Sequence, residues 1–233
     1  MSTLTLVRHG QAEPFQRESA RLTALGETQA AKLAEFWLRH GVRFDEVHCG
    51  KLLRQERTEQ VVAETFRAAG VTWPAVSSQT CWNEYDAPGV LGHLVPSNPR
   101  LAALAEEFEQ ARSGPESNRY FVRMLEAAML HWLDGAACNG VEPWKAFHAR
   151  ISGAIKQFME GPPSRRIVVF TSGGVIGFAV HLAFQAAPRS FLDVNWRVRN
   201  GSVTQFVFDR DRFTLDAFNG IQHLDDPALW TYR

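Results

Sequence analysis

Residues 167–170 form an unbroken apolar run, Ile-Val-Val-Phe, and Gly173-Gly174 follow two residues later at the start of an apolar stretch that reaches Phe184. A strand with one face in water alternates apolar and polar residues, whereas an uninterrupted run is typical of a strand buried on both faces. The segment therefore predicts a central strand, a glycine turn and a helix, in a sheet that is covered on both sides.

The rest of the chain supplies the alternating elements that such a sheet needs. Residues 4–7 and 44–49 favour strands, and between them Thr23 is a candidate N-cap for a helix that Gly41 ends. A second helix is predicted at residues 52–69. Two late segments, 203–208 and 213–218, predict an antiparallel pair of strands. We therefore predict an α/β three-layer sandwich, with helices on both faces of a mostly parallel sheet that has an antiparallel edge.

The middle of the chain has a different character. Residues 87–99 contain three prolines and two glycines, which predicts a loop. Three stretches with apolar residues at helical spacing follow, and none of them favours a strand. We predict a single domain over residues 1–233 with a helical insertion at about 87–160.

Composition excludes several classes of protein. Lys plus Arg and Asp plus Glu number 25 each, so no general attraction to nucleic acid or to an anionic membrane is expected. No segment approaches the length of a membrane span, and we expect a cytoplasmic protein. The three cysteines are widely spaced, which argues against a disulfide framework or a paired-cysteine zinc site. We expect neither a metal nor a cofactor.

Arg8-His9-Gly10 directly follows the first predicted strand, at the edge of the sheet where open α/β folds place their ligands. Histidine can act as a covalent nucleophile, and the planar guanidinium of arginine matches two phosphate oxygens. Glycine lets a backbone approach an anion closely. This combination favours phosphoryl transfer, and LVRHGQAE at residues 6–13 resembles the signature of the histidine phosphatase, or phosphoglycerate mutase-like, superfamily.

The resemblance implies a second phosphate-binding arginine and a general acid. The family pattern S-x-L-x-R-A-x-Q-T is matched in part by GKLLRQERT at residues 50–58, which makes Arg54 the second arginine, in the first turn of a helix. The family's acidic residue corresponds to Glu84 in WNEYDAPG, and Asp86 is the alternative. The insertion would cover the active site, as the corresponding region does in the family.

The chain departs from the family at one position. Where the family has a histidine followed by two glycines, this sequence has Ser172-Gly173-Gly174. A serine hydroxyl can still donate one neutral hydrogen bond to phosphate, so Ser172, Gly173 and Gln11 join Arg8 and Arg54 as predicted phosphate-binding residues. Three histidines elsewhere could replace the missing one: His93, His181 and His223.

These residues predict a phosphomonoester hydrolase in which His9 becomes phosphorylated and Glu84 protonates the leaving group, with low or specialised activity. Two alternatives are a phosphoglycerate mutase-type phosphoryl transfer and a phosphate-ligand-binding protein with little turnover. The expected partner is a small-molecule phosphomonoester or inorganic phosphate. The sequence specifies neither the substrate nor the oligomeric state.

Overall fold

A computed structural model describes residues 1–13 and 20–232 of the chain. The elements that position the site, in chain order, are strands and helices with these bounds: β1 (Ser2–Arg8), α1 (Ala24–Arg39), β2 (Glu46–Cys49), α2 (Leu53–Ala68), β3 (Val76–Ser78), α3 (Ala87–Ser97), α4 (Pro99–Ala111), α5 (Ser117–Leu133), α6 (Trp144–Glu160), β4 (Arg166–Thr171), α7 (Gly173–Phe184), α8 (Arg189–Asn195), β5 (Val203–Phe208) and β6 (Phe213–Gly220).

The six strands form one sheet in the order β3-β2-β4-β1-β5-β6. The pairs β3-β2, β2-β4 and β4-β1 are parallel, and β5 and β6 add an antiparallel edge. The predicted α/β fold with a mixed sheet is confirmed. In the register of β1 and β4, Arg8 lies opposite Thr171, which brings the residues after both strands to the same edge of the sheet.

Both faces of the central strands are buried. One face packs on α1 and α2 through a cluster that includes Val7, Leu33, Trp37, Val62, Phe66, Val168 and Phe170. Because side chains alternate along a strand, Leu4, Leu6, Ile167 and Val169 point to the opposite face, where they are fully buried. Helix α7 contacts β1, and it is apolar along most of its length.

The chain divides into two compact units, Met1–Glu84 with Arg150–Arg233 and the helical unit Tyr85–Ala149. The helical unit has its own aromatic core, in which Tyr85, Trp132, Trp144 and Phe147 contact one another with ring centroids 5.5–5.8 Å apart. The apolar stripes that the sequence places on these helices are therefore largely packing residues.

The prediction of a loop at residues 87–99 is wrong, because most of this segment is helix α3. Asp86 caps the helix by accepting a hydrogen bond from the Gly89 amide at 2.9 Å. Pro88 lies in the first turn, where a missing amide hydrogen costs nothing. Gly92 and Pro96 lie within the helix, so a proline- and glycine-rich composition does not prevent it here. The short elements β3 and α8 carry no periodic signal and were not predicted.

Candidate active site

His9 follows β1 directly, and backbone hydrogen bonds hold it on two sides. Its amide donates to the Thr171 carbonyl at 2.9 Å, and its carbonyl accepts from the Asn200 side chain at 3.3 Å and from the Gly201 amide at 3.2 Å. The residue is 7% exposed. The strand ends therefore fix the backbone that carries the imidazole.

The contacts of the imidazole determine its tautomer. Nδ1 lies 2.7 Å from the Gly10 carbonyl, which only accepts, and Nε2 lies 3.1 Å from Nε–H of Arg54, which only donates. Nδ1 therefore carries the proton and Nε2 presents a lone pair. Burial lowers the pKa of His9 well below its usual value, and the charges of Arg54 and Arg8 lower it further, although the Gly10 carbonyl opposes them. A neutral imidazole with an available lone pair is the nucleophilic form.

Arg54 reaches His9 because the first turn of α2 is fastened to the turn after β1. Thr58, one helical turn later and fully buried, donates to the Arg54 carbonyl at 2.7 Å and accepts from the Gly10 amide at 3.1 Å. Burial lowers the pKa of Arg54, and the nearby Glu84 opposes this shift, so the guanidinium stays charged beside the imidazole.

Gly10 is required by a close backbone contact. A Cβ at this position would lie 2.3 Å from the Gly26 carbonyl oxygen in the first turn of α1. From the sequence, a glycine at this position is expected to let the backbone approach an anion. In the structure, the group that leaves no space for a side chain is the backbone of α1. Gln11 belongs to the same packing, because its side-chain oxygen accepts from the hydroxyl of Thr23, the N-cap of α1, at 2.9 Å.

Arg8 occupies the other side of the His9 turn. Its guanidinium donates to the Val198 carbonyl. A Cβ built at Gly173 would lie 3.6 Å from Nε of Arg8, so the first residue of α7 is in contact with this arginine. The positive end of the α7 dipole and Arg8 are thus adjacent, which is an arrangement that favours an anion.

Glu84 lies at the start of the same helix. Its Oε2 accepts a hydrogen bond from the Gly174 amide at 2.9 Å, and its charge acts on Arg54. Ser172, the N-cap residue of α7, makes no capping hydrogen bond with its side chain, because Glu84 takes the amide that a capping hydroxyl commonly binds. The Ser172 hydroxyl instead accepts from the side chain of Gln55 at 2.8 Å.

The first unit therefore brings a neutral histidine, two arginines, a carboxylate and a helix N-terminus to one edge of its sheet. The sequence matches the model of the Histidine phosphatase superfamily (branch 1) over residues 4–85 and 107–220, which is most of the chain. The chain belongs to this superfamily. By sequence alone, it matches no curated protein.

Solved structures with the same fold include enzymes named for different phosphorylated compounds. A putative alpha-ribazole-5'-P phosphatase from Escherichia coli is 21% identical, with a TM-score of 0.66 over 95% of this chain and 98% of that one. A mutant phosphoserine phosphatase from Entamoeba histolytica, in complex with phosphoserine, is 18% identical, with a TM-score of 0.64 over 96% and 100%. A phosphoglycerate mutase from Bacillus anthracis is 14% identical, with a TM-score of 0.65 over 96% and 95%.

Of the three alternative histidines, the two in the first unit have other surroundings. His181, near the end of α7, contacts the Ser190 hydroxyl at 3.1 Å and lies about 13 Å along the helix axis from Ser172. His223 packs against Phe36, with ring centroids 6.3 Å apart. His93 is part of α3 in the helical unit.

Three residues at the site were not assigned a role from the sequence. Thr58 matches the family pattern, so its position could have been predicted from that match. Gln55 had no such signal, because it departs from that pattern. Gln55 and Asn200 both make their contacts with residues distant in sequence.

Within residues 1–13 and 20–232, no three His, Cys, Asp or Glu side chains are grouped so that they could hold a metal ion. Over the same ranges, no helix has both the length and the apolarity that crossing a membrane requires.

Proposed function

We propose that this chain hydrolyses small phosphomonoesters through a phosphohistidine formed on His9. The observation that carries the proposal is the state of the imidazole. Nε2 has a lone pair that accepts a hydrogen bond from Arg54, and Nδ1 is held by the Gly10 carbonyl, so the nucleophilic atom faces an arginine that also binds anions.

In the first step, a phosphoryl group takes the hydrogen bond of Arg54 and thereby uncovers the lone pair of Nε2. Nε2 attacks phosphorus while the bond to the ester oxygen breaks. Arg8, Arg54 and the amides at the start of α7 neutralise the three equatorial oxygens, whose charge is greatest in the transition state. Ser172 and Gln11 would add neutral donors.

Glu84 reacts in its protonated form and supplies the proton that the departing oxygen needs. Its contact with the Gly174 amide at 2.9 Å fixes the carboxyl group at the N-terminus of α7, and the helix dipole stabilises the carboxylate that forms once the proton has left. In the second step, water attacks the phosphohistidine, Glu84 takes a proton from that water, and inorganic phosphate and free His9 result.

The structural relatives support a phosphorylated small molecule as the substrate class. They are named for alpha-ribazole-5'-P, phosphoserine and phosphoglycerate, which share a phosphate group. His9, Arg8 and Arg54 act on that phosphate and Glu84 on the ester oxygen, so the proposed steps do not depend on the rest of the alcohol.

Hydrolysis of 4-nitrophenyl phosphate by the purified chain tests the proposal. Rapid quenching is expected to trap phosphate on His9 as an acid-labile, base-stable adduct. His9→Ala should lose both the turnover and the adduct, whereas His40→Ala, which replaces an exposed histidine at the end of α1, should retain both.

Three results would contradict it. They are turnover that survives His9→Ala, phosphate binding without turnover, and isomerisation of a phosphoglycerate without release of free phosphate.

A further inference from the structure

A buried amide lies directly behind the phosphate-binding edge of the sheet. Gln55 follows Arg54 in the first turn of α2 and is fully buried. Its Oε1 accepts from the Leu52 amide at 3.2 Å, and its Nε2 donates to the Trp82 carbonyl at 3.1 Å and to Oγ of Ser172 at 2.8 Å. Both hydrogens of the amide are used.

The neighbours of Gln55 leave its amide one orientation. The Leu52 amide can only donate and the Trp82 carbonyl can only accept. Exchanging the oxygen and nitrogen of Gln55 would therefore place two donors together at Leu52 and two acceptors together at Trp82. There is no free space beside the amide either. A Cβ at Gly50 would lie 2.0 Å from Oε1 of Gln55 and 2.8 Å from the Trp82 carbonyl oxygen.

The fixed amide also determines the direction of the Ser172 hydroxyl. Nε2 of an amide has no lone pair to offer, so Oγ of Ser172 is the acceptor in their contact. The single hydroxyl proton is then directed to another acceptor. Helix α7 does not need this hydroxyl as a cap. The Ser172 side chain makes no capping hydrogen bond, and Glu84 binds the Gly174 amide.

The backbone of Ser172 lies next to the His9 turn. The residue before it, Thr171, lies opposite Arg8 in the parallel register, and its carbonyl accepts from the His9 amide at 2.9 Å. The Thr171 hydroxyl donates to the same Trp82 carbonyl that Gln55 binds, at 2.7 Å. Gln55, Trp82 and the end of β4 are therefore one connected, buried network.

We propose that Gln55 is a positioning residue that holds Oγ of Ser172 as an acceptor, so that the Ser172 hydroxyl donates its proton to a phosphoryl oxygen bound at His9. Ser172 is then the neutral phosphate donor, and Gln55 acts only through it. The proposal rests on the proposed function, since it assigns a device to the same phosphate site.

A double-mutant cycle tests this coupling. The variants are Ser172→Ala, Gln55→Met and the double variant, with Gln60→Met as a matched control on the exposed face of α2. Dissociation constants of inorganic phosphate and orthovanadate are measured by calorimetry, which needs no turnover, and kcat and KM are measured with 4-nitrophenyl phosphate.

A hydrogen bond to a charged group is commonly equivalent to about 10-fold or more in affinity. We expect Ser172→Ala and Gln55→Met each to weaken vanadate binding and to lower kcat by about 10-fold. The double variant should lose no more than Ser172→Ala alone, and Gln60→Met should match the unmodified chain. If Gln55 only stabilised the fold, the losses of vanadate affinity in Gln55→Met and Ser172→Ala would instead multiply in the double variant.

Gly50→Ala gives a second perturbation if Gln55→Met folds poorly. The added methyl group would press on Oε1 of Gln55 and on the Trp82 carbonyl that Gln55 binds, while Ser172 and Arg54 are not substituted. Its effect on vanadate binding should disappear when Ser172 is alanine.

Multiplying losses, or unchanged vanadate binding in Gln55→Met, would overturn the inference. If the unmodified chain binds vanadate but shows no turnover, only the proposed hydrolysis is contradicted. The coupling between Gln55 and Ser172 can then still be measured from the vanadate affinities. A chain that binds neither anion would contradict both proposals.

Discussion

Replacing His223 by glutamine tests whether one buried imidazole makes the free energy of unfolding depend on pH. His223 is 7% exposed. Burial lowers its pKa from 6.5 to about 4, and the charge of Lys32 acts in the same direction, although the backbone of Gly201 opposes it. Between about pH 4 and pH 6.5, the folded chain therefore keeps this imidazole neutral, whereas the unfolded chain protonates it.

The sign and the size of the effect follow from the two pKa values. The stabilisation is present in full above pH 6.5, and it is lost as the pH falls towards 4, because only the unfolded state takes up the proton in that range. One unit of pKa corresponds to about 1.4 kcal/mol, so the complete loss is about 3 kcal/mol. Between pH 7 and pH 5 the loss is about 2 kcal/mol.

Urea denaturation of the unmodified chain and of His223→Gln at pH 7 and pH 5 measures this difference. Burial also lowers the pKa values of His9 and His48, but those residues are present in both chains, so their contributions cancel. We expect the unmodified chain to lose about 2 kcal/mol more than the variant on acidification. Equal losses in the two chains, within about 0.5 kcal/mol, would show that the reasoning is wrong.

Three further predictions concern the site. Glu84→Gln should slow phosphorylation of His9 by an alkyl phosphate, measured by rapid quenching, by about 10²-fold or more but leave its phosphorylation by 4-nitrophenyl phosphate nearly unaffected, because in that step only the poor leaving group needs a proton; equal losses in the phosphorylation rate for both substrates would refute the assignment of Glu84 as the acid. In an NMR titration, His9 should have its midpoint well below 6.5, and Arg54→Gln should raise it, since the guanidinium charge lowers the pKa of His9; a midpoint at or above 6.5 would contradict the neutral nucleophile. Thr58→Val keeps the shape of the side chain but leaves the buried amide of Gly10 without its acceptor. We expect it to lower the free energy of unfolding by about 1–3 kcal/mol in urea denaturation, and an unchanged value would exclude this role for Thr58.

Local sequence determines much of the fold because its signals act over a few residues. The apolar run before Ser172 predicts a strand buried on both faces, and Thr23 predicts the start of α1; the structure has both. The carboxyl ends of parallel strands meet at one edge of a sheet, so the sequence also places His9 and Ser172 near each other.

Tertiary structure decides the features that depend on contacts between distant segments. The sequence names Arg54, but only the structure shows that its guanidinium reaches Nε2 of His9 and thereby fixes the tautomer. Gln55 and Ser172 are 117 residues apart in sequence, and their hydrogen bond has no local pattern.

Ser172, where the family has a histidine, shows most clearly what the sequence determines and what the tertiary structure decides. The sequence establishes that a serine follows β4, and from chemistry alone this serine can give or accept a hydrogen bond. The choice between these roles depends on the buried amide that faces it, because an amide nitrogen can only donate. That amide is set in place by the packing of Gly50, Leu52 and Trp82, which exists only once the chain has folded.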